Sequence, residues 1–90
     1  MDFEWDRSKA DTNKRKHGVT FEEATSVFFD PLAVSGSDPD HSLDEFRYVT
    51  FGYSSNGRLL VVVHTVRSNA IRIISARGAT RAERKIYEEG

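Results

Sequence analysis

Arg58-Leu-Leu-Val-Val-Val-His64-Thr-Val-Arg67 and, after Ser68-Asn69, Ala70-Ile-Arg72-Ile-Ile-Ser-Ala-Arg77 decide the fold of this chain. Two runs rich in β-branched residues, separated by two residues that tolerate a tight turn, read as a β-hairpin. Strands can be built from Val and Ile alone, so the one histidine and four arginines threaded through this hairpin need a second explanation. Arg is permanently charged and forks onto phosphate, and His exchanges a proton near neutral pH. Together they point to a sheet that handles a phosphodiester.

Upstream of the hairpin, Glu45 to Ser54 alternates and is rich in aromatic and β-branched residues, which predicts another strand. Asn56-Gly57 is a strong hairpin turn signal, so three consecutive strands form an antiparallel meander. Asp2-Phe-Glu-Trp5 alternates as a short first strand. Asp6 offers an N-cap to a first helix, whose last turn carries Arg15-Lys16-His17 before Gly18. The best inward stripe of that helix is Ala10, Asn13 and His17. Thr20-Phe-Glu-Glu23 reads as a capping box, and Phe21, Ala24, Thr25 and Phe28 then share one helical face until Pro31 ends it. Leu32-Ala-Val34 is a short extended piece, and Ser35 to Asp44 reads as an exposed loop. Thr80-Arg-Ala-Glu83 is a second capping box, opening a terminal helix through Tyr87. The order is β-α-α-β-β-β-α, an α+β fold whose helices lie on one face of an antiparallel sheet.

Register decides which side chains meet. If Asn56-Gly57 and Ser68-Asn69 are both two-residue loops, Val49, Phe51, Leu60, Val62, His64, Ile71 and Ile73 share the helix-covered face. Tyr48, Thr50, Val61, Val63, Thr65, Arg72 and Ile74 then share the other, which mixes hydroxyls and a cation as a working face would. A one-residue shift in the second loop changes the face that Arg72 and Arg77 occupy.

Composition narrows the class. Ninety residues make a single domain, 1–90, with one modest core. Cysteine is absent, which removes disulfides and thiolate metal sites, and no leader or bilayer-length apolar run is seen, so a cytoplasmic address is expected. The net charge of −1 hides an asymmetry: residues 1–56 carry 6 Lys/Arg against 11 Asp/Glu, and residues 57–90 carry 7 against 3. That balance argues against a protein that coats nucleic acid without specificity, which is normally basic throughout. A local cationic patch for one polyanion, with an acidic flank for a basic partner, fits better. The acidic flank could equally be a solvated surface.

Phe3-Glu-Trp-Asp6, Lys9, Arg15-Lys-His-Gly18, Phe21-Glu-Glu-Ala24, Asp30-Pro31, Asp38-Pro-Asp-His41, Leu60-Val-Val-Val-His-Thr65, Ile71-Arg-Ile-Ile-Ser-Ala-Arg77 and Thr80-Arg-Ala-Glu-Arg84 with Tyr87 together resemble the BrnT family. These are toxins of bacterial type II toxin–antitoxin modules, and the resemblance runs over nearly the whole chain. It implies a RelE-like ribonuclease fold and RNA cleavage that arrests translation. It also implies neutralisation by a BrnA-type antitoxin, whose ribbon-helix-helix part binds operator DNA, so the toxin reaches that DNA only indirectly.

Metal-independent RNA cleavage needs a base for the ribose 2′-hydroxyl, cations for the phosphorane and an acid for the departing 5′-oxygen, and yields a 2′,3′-cyclic phosphate. His64 is the expected proton-transfer residue, with Arg72 and Arg77 as the phosphate clamp. Lys9, Lys16, Arg67, Arg81 and Tyr87 are the expected RNA contacts, and Asp38, Asp40 and Asp44 the expected antitoxin contacts. Each has a plainer alternative. His64 could be a hydrogen-bonded packing residue, Arg72 could pair with an acid across strands, Arg77 could hold the loop before the helix, and Tyr87 could belong to the core. The cations of the first helix could serve only its C-terminal dipole. Asp38-Pro-Asp-His41 with Asp44 and Glu45 meets no fixed ligand spacing, so no metal site is expected, and no cofactor. The alternative to an enzyme is a non-catalytic nucleic-acid-binding or regulatory interaction module.

Overall fold

Residues 1–38 and 46–90 are described by a computed structural model. Local signals place most elements. Asp6 caps helix α1 (Arg7–His17) by accepting the Lys9 amide at 3.1 Å, and Gly18, left-handed at φ 68°, returns its N–H to Lys14. Thr20 caps helix α2 (Phe21–Ser26) by accepting the Glu23 amide, but the expected box is only half made. The Glu23 carboxylate turns instead to Arg58 and to the Ser54 hydroxyl. A 3-10 turn (Val27–Phe29) follows. Helix α3 (Arg81–Glu89) has the complete box, with Thr80 and Glu83 bonding each other's amides.

The sheet holds five strands in the order β1-β5-β4-β3-β2: β1 (Asp2–Glu4), β2 (Val34–Ser37), β3 (Tyr48–Tyr53), β4 (Leu59–Arg67) and β5 (Ala70–Gly78). The β3-β4-β5 antiparallel meander forms as expected, and two features correct the purely antiparallel sheet built on it. Val34, the end of the expected extended piece, and Ser35 to Ser37, the start of the expected loop, form an edge strand antiparallel to β3. β1 runs parallel to β5, so the sheet is mixed. The mix follows from connectivity, because two helices intervene before the chain returns and β1 fills the far edge.

Loop length also differs from expectation at one hairpin and shifts a strand. The β3–β4 loop has three residues, closed by the Ser54 amide on the Arg58 carbonyl, with Gly57 at φ 74°. Three-residue loops with a left-handed Gly are a standard hairpin solution. The extra residue moves β3 by one position, so Thr50 faces Val62 and Tyr48 faces His64. Tyr48 and Thr50 therefore join the face of Leu60 and Val62, while Val49 and Phe51 go to the opposite face with Val61 and Val63. The β4–β5 turn has its two residues, Ser68 and Asn69, both at positive φ, as a type I′ turn requires. Beyond it β5 carries a bulge: His64 pairs with Ile73 but Val63 with Ser75, leaving Ile74 as the extra residue.

The core fills one face. Val19, Phe21, Ala24 and Val27 pack on Leu60, Val62, Ile73 and Ala76, with Phe3, Trp5, Ala10, Phe28 and Ile71 around them. Each large member contributes about 1.5–3 kcal/mol through removal from water. Gly52 lets Val27 approach, since a Cβ there would lie 2.8 Å from Val27 Cγ1. Helix α3 is not on this face. It meets Tyr53 through the Tyr87 ring at 5.3 Å and through Arg84, so the helices do not share one side.

Asn13 completes the frame. Pairing of β1 with β5 stops at Glu4 and Arg72, which leaves the outer edge of β5 open. Buried Asn13 takes the place of the missing strand, accepting the Ala76 amide at 3.0 Å and donating to the Ala76 carbonyl at 2.8 Å and the Val19 carbonyl at 3.0 Å. Of the expected inward stripe, His17 departs and faces solvent.

Candidate functional site

Where α1 runs past the bulge of β5, the two elements enclose a groove of about 260 Å³ lined by Ser8, Lys9, Thr12, Asn13, Lys16, His17, Ile74 and Ser75. Its cations follow from helical geometry. Lys9, Thr12, Asn13 and Lys16 recur at three- and four-residue spacings, so they stack along one side of α1. Asn13 anchors that side to the β5 backbone, and the cations rise on either side of it. Among the described residues, neither Lys9, Lys16 nor His17 closes an ion pair. Asp6 lies nearby but is occupied: the Ser8 hydroxyl and the Lys9 amide bond its carboxylate and hold it below the usual range. Two ammoniums outside any close ion pair and an imidazole around one polar groove favour an anion, although the Lys9 charge also acts on Asp6, and the hydroxyls of Thr12 and Ser75 add uncharged donors.

The expected catalytic trio does not assemble. His64 sits on the helix-covered face, 7% exposed, with the Phe28 ring edge-on at 4.8 Å and Tyr48 stacked at 5.8 Å. Its Nε2 shares a hydrogen bond with Thr50 Oγ1 at 2.8 Å, and Thr50 shares one with Ser35 at 2.7 Å. Its Nδ1 is buried without a partner, and burial pushes its pKa down to about 4. The imidazole is thus neutral across the physiological range.

Arg72 and Arg77 stand on the opposite face, opposite Thr65 and Val61, and the bulge is what puts both there. Both are engaged. Arg72 pairs with Glu4 at 2.7 Å, tying β1 to β5. Arg77 makes a two-pronged pair with Glu83 at 2.7 and 2.8 Å, tying α3 to the sheet and holding the Glu83 carboxyl down to about 2. Arg58 likewise clamps Glu23, which lowers that carboxyl. These groups therefore share no pocket: the β4–β5 register sets His64 and Arg72 on opposite faces of the sheet, and the bulge puts Arg77 on the face of Arg72.

The expected RNA contacts divide. Lys9 and Lys16 come together in the groove. Arg67, at the hairpin tip, and Arg81, in the first turn of α3, are exposed and apart from it. The Tyr87 hydroxyl donates to Asp30 at 2.8 Å, which makes it a strut between α3 and the segment after the 3-10 turn. Burial raises the Asp30 carboxyl, but the amides of Tyr53 and Leu32 and the Tyr87 hydroxyl together hold it below its usual range. Asp38 is half-buried at the end of β2, while Asp40 and Asp44, with the rest of the Asp38-Pro-Asp-His41 segment, lie outside the described residues.

The sequence pattern places His17 only in the inward stripe and the last-turn charge of α1, and carries no mark of the bulge. His17 was masked by a sufficient simpler reason, the C-terminal helix charge; the signal that could have found it is its i+8 relation to Lys9.

A family model described as "Ribonuclease toxin, BrnT, of type II toxin-antitoxin system" matches residues 5–83. The crystal structure of the Brucella abortus ribonuclease toxin BrnT is similar to 90% of this chain and 99% of that chain, at a TM-score of 0.60 and 28% sequence identity. No curated protein matches the chain.

Proposed function

Because this chain belongs to the BrnT family of ribonuclease toxins from type II toxin–antitoxin systems, we propose that it is a metal-independent endoribonuclease that holds RNA along the α1–β5 groove. The observation that carries the reading is the gathering of Lys9, Lys16 and His17, none of them in a close ion pair, around one groove of about 260 Å³. The phosphate clamp is assigned to Lys9 and Lys16, since Arg72 and Arg77 would first have to release their carboxylates. His64, neutral and enclosed, is assigned to packing. Exposed Arg67 and Arg81 are further positions for backbone contact with a longer RNA.

Cleavage yields a 2′,3′-cyclic phosphate and a 5′-hydroxyl, and its outcome in the cell is arrested translation in the cytoplasm. A RelE-like relationship of the fold belongs to the same proposal. Among the described residues no three His, Cys, Asp or Glu side chains gather where a metal ion could be held, and no helix is long and apolar enough to cross a membrane. A type II toxin implies an antitoxin, and a BrnA-type partner that carries the operator DNA contacts is proposed to dock on the acidic segment around Asp38, Asp40 and Asp44.

The test is incubation of the purified protein with RNA in EDTA, followed by end-group analysis. Cleavage leaving cyclic phosphate ends is expected. Loss of all cleavage in chelator would refute metal independence. RNA binding without cleavage, with or without added divalent ions, would favour the non-catalytic module.

A further inference from the structure

The chain has three histidines. His41 lies outside the described residues, and His64 is buried between Phe28 and Tyr48. Of the two described histidines, His17 alone combines solvent access with a place in the cationic groove. Building on the ribonuclease reading above, we infer that His17 is the catalytic residue that takes the proton from the ribose 2′-hydroxyl.

A helix C-terminus favours a cation, which is the plainer reason for a histidine there. Lys14, Arg15 and Lys16 already fill that role in the same turn, so the dipole does not require a fourth basic group. The position is also held firmly. Gly18 closes the turn immediately after His17 with its N–H on the Lys14 carbonyl at 2.9 Å. One turn earlier, Asn13 fixes α1 to β5 by two hydrogen bonds with Ala76 and donates a third to the Val19 carbonyl. The imidazole is therefore carried on a rigid wall facing Ser75 and the bulge, as a preorganised reacting group must be. The titratable groups that share the groove are Lys9 and Lys16, both on α1. From β5 the lining is Ile74 and Ser75, which do not titrate in this range.

The step balances without a further reagent. The imidazole accepts the 2′-hydroxyl proton as the 2′-oxygen forms its bond to phosphorus. The bond from phosphorus to the 5′-oxygen breaks, and that oxygen leaves with a proton from one of the two groove ammoniums. Water then takes the imidazolium proton and restores the one to the amine. The products are the cyclic phosphate and the 5′-hydroxyl.

The experiment compares wild type, His17→Gln, His17→Ala and His64→Gln at saturating RNA, with unfolding curves for each. His17→Gln is expected to lower kcat by about 10²–10⁴ with little change in KM, and to abolish the acid limb of the kcat–pH profile. Added imidazole is expected to restore at least roughly tenfold of the His17→Ala loss, which a purely structural role would not allow. Folded His17→Gln cleaving within about twofold of wild type, or keeping the acid limb, overturns the assignment. Loss of cleavage in folded His64→Gln with retention in His17→Gln overturns it in favour of His64. A wild type that binds RNA but never cuts it overturns the ribonuclease reading itself, and is distinguished by failing before any variant is compared.

Discussion

Acid should unfold this protein through His64 before it does so through the carboxylates. The ordinary histidine pKa is 6.5 and burial lowers that of His64 to about 4. A base whose folded pKa is depressed favours the native state while neutral, so its contribution is complete above 6.5 and is lost as pH falls toward 4. The full difference corresponds to about 3 kcal/mol at about 1.36 kcal/mol per pKa unit. About 2 kcal/mol of it falls between roughly pH 7.5 and 5. Residual solvent around the ring makes this figure an upper bound. For a domain of this size the change amounts to roughly 10 °C in Tm. The carboxylates act lower: Glu83 at about 2, and Glu23 and Asp30 both below their usual range, keep their contributions through this window. Urea unfolding across pH would show a sloping stability for wild type and a nearly flat one for His64→Gln. A flat wild-type profile, or a slope that survives His64→Gln, would refute the burial argument.

Gly52→Ala should cost about 1–3 kcal/mol in urea unfolding, because the new methyl would meet Val27 Cγ1 at 2.8 Å and Ala33 Cβ at 3.2 Å. A neutral result would mean that Val27 does not pack on β3 as described. Lys9→Ala and Lys16→Ala should each weaken RNA binding and reduce the slope of log Kd against log salt by about 0.7, the value for one phosphate contact on a single strand. Unchanged slopes would remove the groove from the RNA path. Charge reversal at Asp38, Asp40 and Asp44 should weaken the antitoxin complex at least about tenfold while RNA cleavage persists. An undiminished complex would move the docking surface elsewhere.

Elements whose cause is local were legible in the sequence. Asp6, Thr20, Thr80 and Gly18 all cap where their chemistry suggests, and Ser68-Asn69 makes the turn its spacing implies. The failures have a common physical origin in long-range choices. Asn56-Gly57 marks a turn but does not reveal whether Ser55 belongs to it, and that one residue exchanges the faces of β3. Ile73 and Ile74 are both apolar, so alternation carries no trace of the bulge between the faces they occupy. Val34-Ser-Gly-Ser37 has little apolar content because β2 is an edge strand, mostly exposed. At the site, the placing of Lys9 and Lys16 on one side of α1 followed from helical spacing, while the fates of Arg58 and Arg72 depended on Glu23 and Glu4, partners at separations no local pattern encodes.

Those partners decide which cations can serve an anion. Arg58, Arg72 and Arg77 each join two elements: α2 to the start of β4, β1 to β5, and α3 to β5. Redirecting any of them to phosphate would leave a carboxylate unpaired, and for Glu23, which is 8% exposed, that carboxylate would remain buried. Such a loss is strongly destabilising and subtracts from whatever the new contact contributes. Lys9 and Lys16 break no close ion pair when an anion arrives, so even a weaker point-charge contact leaves a larger net gain. A guanidinium's intrinsic fit to phosphate is therefore outweighed here by its existing engagement, and the less specific ammoniums on α1 become the better receptors.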